Sequence, residues 1–271
     1  MVDQPLYTLH YFPFSLYSLT VRFGFVLGET LNPDTAPRVR VRLVNLHRED
    51  HLSEPYLTLV NTKGEVPVLT SPALPASLDD SQNISAWLCE MQPELIPREH
   101  EEDITRLMEK ICSLQAIPLV LTAEDRQWGV PNEAAALLER NGLSPKYRRA
   151  LEINSVFHDS IFNGSLDPDN VAEAEERALD FMQELVEVLN QHHHSQGNKP
   201  WIFGARPTIL DAHVTALAAR LMDVDRADLL PDEVQEYARG VIASPEWRKV
   251  TNGRPTVWNE SLGKVAEFDM L

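Results

Sequence analysis

The sequence predicts an α/β N-terminal domain followed by an all-α helical bundle, and three observations predict it. Strand-like and helix-like patterns alternate over roughly the first ninety residues. A proline-bearing stretch, Pro93-Glu94-Leu95-Ile96-Pro97, then interrupts them. Beyond it only helical patterns return. The expected domains are residues 1–91 and 98–271, and a length of 271 exceeds what one small core needs.

In chain order, residues 6–12 are rich in aromatic and aliphatic side chains and read as a strand halted by Pro13. Residues 19–27 carry Val21, Phe23, Phe25 and Val26 up to Gly28, which reads as a buried helix with a glycine stop. Residues 38–44 alternate strictly, arginines on one face and Val39, Val41 and Leu43 on the other. That is a half-buried strand at a sheet edge, where the charges discourage pairing with another chain. Residues 61–69 pass through a Lys-Gly turn into Val66-Pro67-Val68-Leu69, and 80–91 set Ile84, Trp87, Leu88 and Met91 on one helical face. In the second half, residues 104–121, 132–140, 146–162, 170–193 and 209–222 read as helices, with no internal repeat. His192, His193 and His194 close one of them. Adjacent side chains give poor ligand geometry, so the run reads as a solvated helix end near the negative dipole pole, not as a metal site.

Lys and Arg total 24 against 41 Asp and Glu, a formal net charge of −17. Such a field repels phosphate backbones and argues against nucleic-acid binding. Apolar stretches stop short of the ~18 residues that would indicate a membrane span, and Met1-Val2-Asp3-Gln4-Pro5 lacks the basic-then-apolar order of a secretory signal. Two cysteines, Cys89 and Cys112, make no disulfide framework, which points to a reducing, cytoplasmic setting.

Three places carry chemistry. Pro67 stands inside an apolar strand-like segment, yet it cannot donate to a sheet ladder, so it belongs at a strand start or edge. A cis Val66–Pro67 bond would leave the Val66 main chain free to pair with a peptide-like ligand. Asp80-Ser81 follows thirteen residues later, at the start of a helix. Ser81 fits a helix cap; it equally fits a carboxylate site, with Asp80 for an ammonium group, and a γ-glutamyl group carries both charges. Ser15 lies where the first strand gives way to the first helix. Its hydroxyl is either a cap or a donor that lowers the pKa of a bound thiol, with Tyr17 and Ser18 as rivals for that role.

These residues converge on a family. Leu9-x-Tyr11-x-Pro13-x-Ser15 with Val21-Arg22, then Asn61-Thr62-Lys63-Gly64-Glu65-Val66-Pro67-Val68-Leu69, then Asp80-Ser81-x-x-Ile84-x-x-Trp87-Leu88, resembles the thioredoxin-like half of glutathione transferases. Thr208-Ile209-Leu210-Asp211 resembles the capping box of their helical half. The resemblance implies that glutathione is the cofactor, held by Val66 beside a cis Pro67 and by Asp80 and Ser81. It matches Ser15 to the thiol-activating serine of zeta-, theta- and fungal-type members. His51 falls near a contact to the glycyl carboxylate, or is an exposed loop histidine. Phe12, Phe14, Leu16 and Tyr17 would border a cleft for an apolar small-molecule substrate, faced by Met108, Ile111 and Cys112 unless these are helix core. A homodimer and either conjugation or double-bond isomerisation in secondary metabolism are implied, as is, alternatively, a non-catalytic binder. Two residues depart from the pattern: Thr62 stands where a proline is usual, and Glu65 where Lys or Gln is common.

Overall fold

The computed structural model describes residues 6–196 and 200–265, excepting the side chains of 193–196. The N-terminal half runs β1 (Leu6–Tyr11), α1 (Leu16–Leu31), β2 (Arg38–Leu43), α2 (Glu54–Leu59), β3 (Val68–Thr70), β4 (Leu78–Asp79) and α3 (Ser81–Met91). The sheet order is β2-β1-β3-β4. β2 pairs parallel to β1, while β3 lies antiparallel to both β1 and β4. β2 is therefore an edge strand, as its arginine alternation predicts.

Two short elements, α2 and β4, have too few residues to show a period and are absent from the sequence reading. The expected helix stop at Gly28 is corrected: α1 passes through it to Leu31. A Cβ on Gly28 would fall 2.0 Å from Gln92 Oε1, and Gln92 Nε2 donates to the Gly28 carbonyl at 2.9 Å. The glycine permits a close approach between α1 and the chain after α3; it does not end the helix.

The helical half comprises α4 (Glu101–Ser113), α5 (Ala116–Val120), α6 (Ala123–Trp128), α7 (Glu133–Leu138), α8 (Pro145–His158), α9 (Pro168–Gln196), α10 (Ile209–Asp223), α11 (Asp232–Ile242) and α12 (Pro245–Thr251). The single helix expected over 104–121 breaks into α4 and α5, with Leu114 extended at the join. Pro118 explains the break, because its ring would meet the Leu114 carbonyl and it has no N–H to donate there. The expected solvated histidine run is also corrected. His192 is 9% exposed, its ring 4.9 Å from that of His100 and 5.1 Å from that of Phe203; the side chains of His193 and His194 lie outside the described residues. No described helix is long and apolar enough to cross a membrane.

One apolar cluster crosses the expected domain boundary, joining Leu19, Phe23 and Leu27 of α1 to Leu107 and Ile111 of α4 and Leu210 and Leu217 of α10. α10 is its axis, buried along Ile209 to Leu221. Its start is the expected capping box: Asp211 Oδ2 accepts from the Thr208 N–H at 2.7 Å and the Thr208 hydroxyl at 2.8 Å. Asp211 Oδ1 accepts from the Ile202 N–H at 2.9 Å and the Tyr237 hydroxyl at 2.8 Å. After α12 the chain turns back to the N-terminal half, where Val265, Trp258 and Leu262 pack with Phe12, Phe14, Val44, Tyr56 and Val66.

Candidate functional site

The site is built where α1, β3 and α3 begin. Ser15 is the N-cap of the 16-residue α1. Its Oγ accepts from the Ser18 N–H at 3.3 Å and donates to the Val66 carbonyl at 3.5 Å. The Val66–Pro67 bond is cis, and Pro67 precedes β3, outside the ladder that it could not have joined. Among the described residues the Val66 N–H finds no acceptor. The β3–β4 register sets Asp79 beside Val68, which brings Asp80 and Ser81 to the same end of the sheet.

Asp80 holds a positive φ of 70°. Its carboxylate caps α3 by accepting from the Gln82 N–H at 2.9 Å, so the cap is Asp80 and not Ser81. Ser81 is 8% exposed, and its hydroxyl has no partner among the described residues. Ser15, Val66, Pro67, Asp80 and Ser81 thus come together from three segments, with open donors between the positive ends of two helices.

The rivals for the Ser15 role separate. Ser18 is fully buried and its Oγ accepts from the Phe12 N–H at 3.3 Å, so that hydroxyl holds the loop. Tyr17 is 42% exposed as a residue, but its phenol is enclosed against the backbone of Ala116. Burial, with the Asp80 and Glu65 charges adding, pushes it up to about 12. Met108 and Cys112 are half-buried against the main core. Cys112 Sγ lies 3.9 Å from His213 Nδ1, whose Nε2 is 3.0 Å from Ser85 Oγ. Burial first, then Asp80, pushes the Cys112 thiol up to about 11, which favours its protonated form.

Two expectations are corrected. Phe12 and Phe14 are 2% and 8% exposed and sit in the core formed with the returning C-terminal segment, not on an open cleft wall. His51 is not an exposed loop histidine: it lies with Asp50 and His158, its Nδ1 is buried without a partner among the described residues, and burial pushes its imidazole down to about 4, which leaves it a neutral polar group and not a cation. Glu65 is half-buried; burial, with Asp80 and Asp79 beyond the opposing Lys63, pushes its carboxyl up to about 7.

Sequence reasoning missed Arg220. From inside α10 its Nη2 donates to the Phe14 carbonyl at 2.8 Å and the Thr256 carbonyl at 2.7 Å, and its Nε to the Thr256 hydroxyl at 3.1 Å. Asp223 Oδ2 accepts from the Thr256 N–H and hydroxyl at 2.6 and 2.7 Å. One buried guanidinium therefore ties the loop before Ser15 to the C-terminal segment. A lone arginine in Ala-Leu-Ala-Ala-Arg-Leu-Met was the available signal, since a buried cation needs buried acceptors.

No protein-family model matches the chain, and no curated protein does. Solved structures do. A diazinon-metabolizing glutathione S-transferase of the silkworm Bombyx mori aligns at 16% identity and a TM-score of 0.52, over 92% of this chain and 96% of that one. A glutathione transferase family member from Pseudomonas fluorescens pf-5, with two glutathione bound, aligns at 16% identity and 0.53, over 90% and 92%. Poplar glutathione transferase F1 aligns at 12% identity and 0.56, over 91% and 96%. The chain has the glutathione-transferase fold.

Proposed function

We propose that this protein belongs with the glutathione transferases in activity as well as fold, binding glutathione where α1, β3 and α3 begin and adding its sulfur to an apolar electrophile. The observation that carries this is the Ser15 hydroxyl at the head of α1, 3.5 Å from the Val66 carbonyl and beside the unpartnered Val66 N–H. On this reading the cysteinyl main chain pairs with Val66. The γ-glutamyl carboxylate takes the Ser81 hydroxyl and the open amides of the α3 first turn, and the ammonium meets Asp80. The glutathione bound in the Pseudomonas structure supports the ligand.

Ser15 then turns its hydroxyl from Val66 to the sulfur; the long bond seen here is the one that yields when ligand arrives. That donor and the positive end of α1 stabilise the thiolate, lowering a pKa that is about 8.5 in free cysteine, and the proton leaves to solvent. The thiolate attacks an electrophilic carbon of a substrate held against Tyr17, Met108 and Cys112. Conjugation consumes glutathione; reversible addition to a conjugated alkene, rotation and elimination returns it. The reading includes a homodimer. A non-catalytic binder is the second reading, favoured by the burial of Phe12 and Phe14, which removes two expected walls from the co-substrate side.

The test is the ultraviolet titration of the bound thiol in the parent and in Ser15→Ala. The parent should hold the thiol below its free pKa. Ser15→Ala should raise it by about one unit, equivalent to ~1.4 kcal/mol, with affinity nearly unchanged. Superimposable titrations would remove Ser15 from the mechanism, and a free-solution pKa in both would favour the binder. Counting free thiol over turnover separates conjugation from isomerisation.

A further inference from the structure

The main chain leading into Val66 is held by side chains from several elements. The Asn61 side-chain oxygen accepts from the Lys63 N–H at 2.9 Å, and the Asn61 carbonyl from the Gly64 N–H at 3.0 Å. That closes a tight turn, which sets Gly64 at a φ of 68°. Three carbonyls along residues 63–66 are then taken by donors from three other places. Asn154 Nδ2 of α8 donates to that of Lys63. The Tyr56 hydroxyl of α2 donates to that of Glu65 at 2.6 Å, and the Ser15 hydroxyl at the head of α1 to that of Val66 at 3.5 Å. The Val66 N–H has no acceptor among the described residues and stays open to a ligand.

Of these donors only Asn154 comes from the helical half. It is 5% exposed, on a helix face whose other buried residues are Ala150 and Leu151. Those two join Ala134 and Leu137 of α7 in a small apolar cluster with Leu52 and Leu57. Beside it the Tyr147 hydroxyl donates to the Leu52 carbonyl at 2.8 Å and the Ser144 hydroxyl to Glu54 Oε1 at 2.6 Å. α7 and α8 therefore form an arm seated on residues 52–64. An amide buried among leucines costs free energy unless it is bonded, and the bond it makes fixes a carbonyl three residues before Val66. The fit is close: a Cβ on Gly64 would fall 2.5 Å from Asn154 Nδ2. The Lys63 side chain is pinned as well, its Nζ 3.1 Å from Asp79 Oδ2 and 5.8 Å from the centre of the Phe157 ring of the same helix.

We infer that Asn154 is a positioning residue for glutathione: from α8 it fixes Lys63 and Gly64, and so sets the Val66 main chain before the ligand arrives. The inference rests on the reading that glutathione pairs with Val66. An edge already held in its bound shape loses little freedom on binding, whereas a loose one must be ordered by the ligand. Without the Asn154 donor that ordering moves into the binding step and weakens affinity. Ser15, on the other side of Val66, keeps its setting toward the sulfur.

Asn154→Leu tests it, because leucine keeps the volume, suits the apolar surroundings and removes the donor. Calorimetry on the full chain with glutathione should show affinity about tenfold weaker, the worth of about one net hydrogen bond, while melting stays close to the parent's. Hydrogen exchange of residues 62–66 should be faster in the free variant and return to the parent's rate at saturating glutathione. At saturation the ultraviolet titration of the bound thiol should match the parent's, since Ser15 is untouched. Parent-like affinity in Asn154→Leu overturns the inference, as does weaker binding with unchanged exchange. A displaced thiol titration also overturns it, because the whole site would then be distorted. Should that variant fail to fold, Asn154→Ala is read for the same affinity and exchange. A parent that binds no glutathione at millimolar concentration instead overturns the underlying reading, and the inference with it.

Discussion

Removing the Asp211 carboxylate should destabilise the whole protein, because α10 is built on it. Its two oxygens are fully buried and accept from four donors: the Ile202 and Thr208 N–H groups and the Thr208 and Tyr237 hydroxyls. Burial pushes its pKa up while the four donors pull it down. In Asp211→Ala all four donors lose their acceptor, at ~1–3 kcal/mol for each that no water reaches. A broken buried network of this kind costs ~3–5 kcal/mol in total, because relaxation recovers part of the sum. At ~2–4 °C per kcal/mol for a chain of this size, melting should fall by about 6–20 °C. Asp211→Asn keeps the volume but turns one oxygen into a donor, so two of the four bonds fail and the loss is about half. Thr208→Ala should cost ~0.5–2 kcal/mol, and the double variant should be less destabilised than the sum of the singles, since both act on one network. Differential scanning calorimetry of the four variants decides. A melting curve for Asp211→Ala within about 1 kcal/mol of the parent would refute the network, and strict additivity would refute the coupling.

Arg220→Met should cost ~2–4 kcal/mol by stripping donors from Phe14 and Thr256, and proteolysis should then begin in the C-terminal segment; an unchanged digestion pattern would count against that tie. Gly28→Ala should cost ~1–3 kcal/mol, because Gln92 must leave its bonds to the Gly28 and Asn32 carbonyls; parent-like denaturant unfolding would contradict it. His10, His51 and His213 are each lowered from 6.5 to about 4 by burial. Between those values the unfolded chain binds protons that the native one refuses, so stability falls as pH drops, by up to about 2 kcal/mol per histidine near pH 5. Melting followed from about pH 7 to about pH 5 should therefore decline, and His213→Gln should flatten the curve; a rising curve would reverse the sign assigned here.

What was legible in the sequence was local. Pro67 at a strand start, Asp80-Ser81 at a helix start and Thr208 with Asp211 three residues on each declare themselves within a few residues, since caps and proline geometry act over one turn. α11 was legible too, with Val234, Tyr237, Ala238 and Val241 buried at helical spacing, though no helix was expected there. Gly28 misled because its partner, Gln92, is 64 residues away; in isolation a helical glycine reads as a stop. Phe12 and Phe14 misled for the same reason. Aromatic residues beside a candidate site suggest a wall for ligand, and only the path of the chain after α12 shows that Val265 covers them. Arg220 joins Phe14 across 206 residues, a pairing that no periodicity encodes.

The C-terminal segment also sets an order of events during synthesis. Phe12, Phe14 and Val66 leave the ribosome with the first strands, whereas Trp258, Leu262 and Val265, which cover them, emerge roughly two hundred residues later. At 5–20 residues per second that interval is about 10–40 s. Throughout it the nascent N-terminal half can form its sheet but not bury these phenylalanines against their native partners. It therefore presents an adhesive patch beside the Ser15 site until residues 258–265 have emerged. Ser15 acquires its final setting just as late, because Arg220 and Thr256 must both arrive before the Phe14 carbonyl is tied down. A ribosome-stalled chain ending near residue 250 would leave Phe12 and Phe14 without Trp258, Leu262 and Val265, and chaperone capture of such chains should cease once residues through 265 have cleared the exit tunnel.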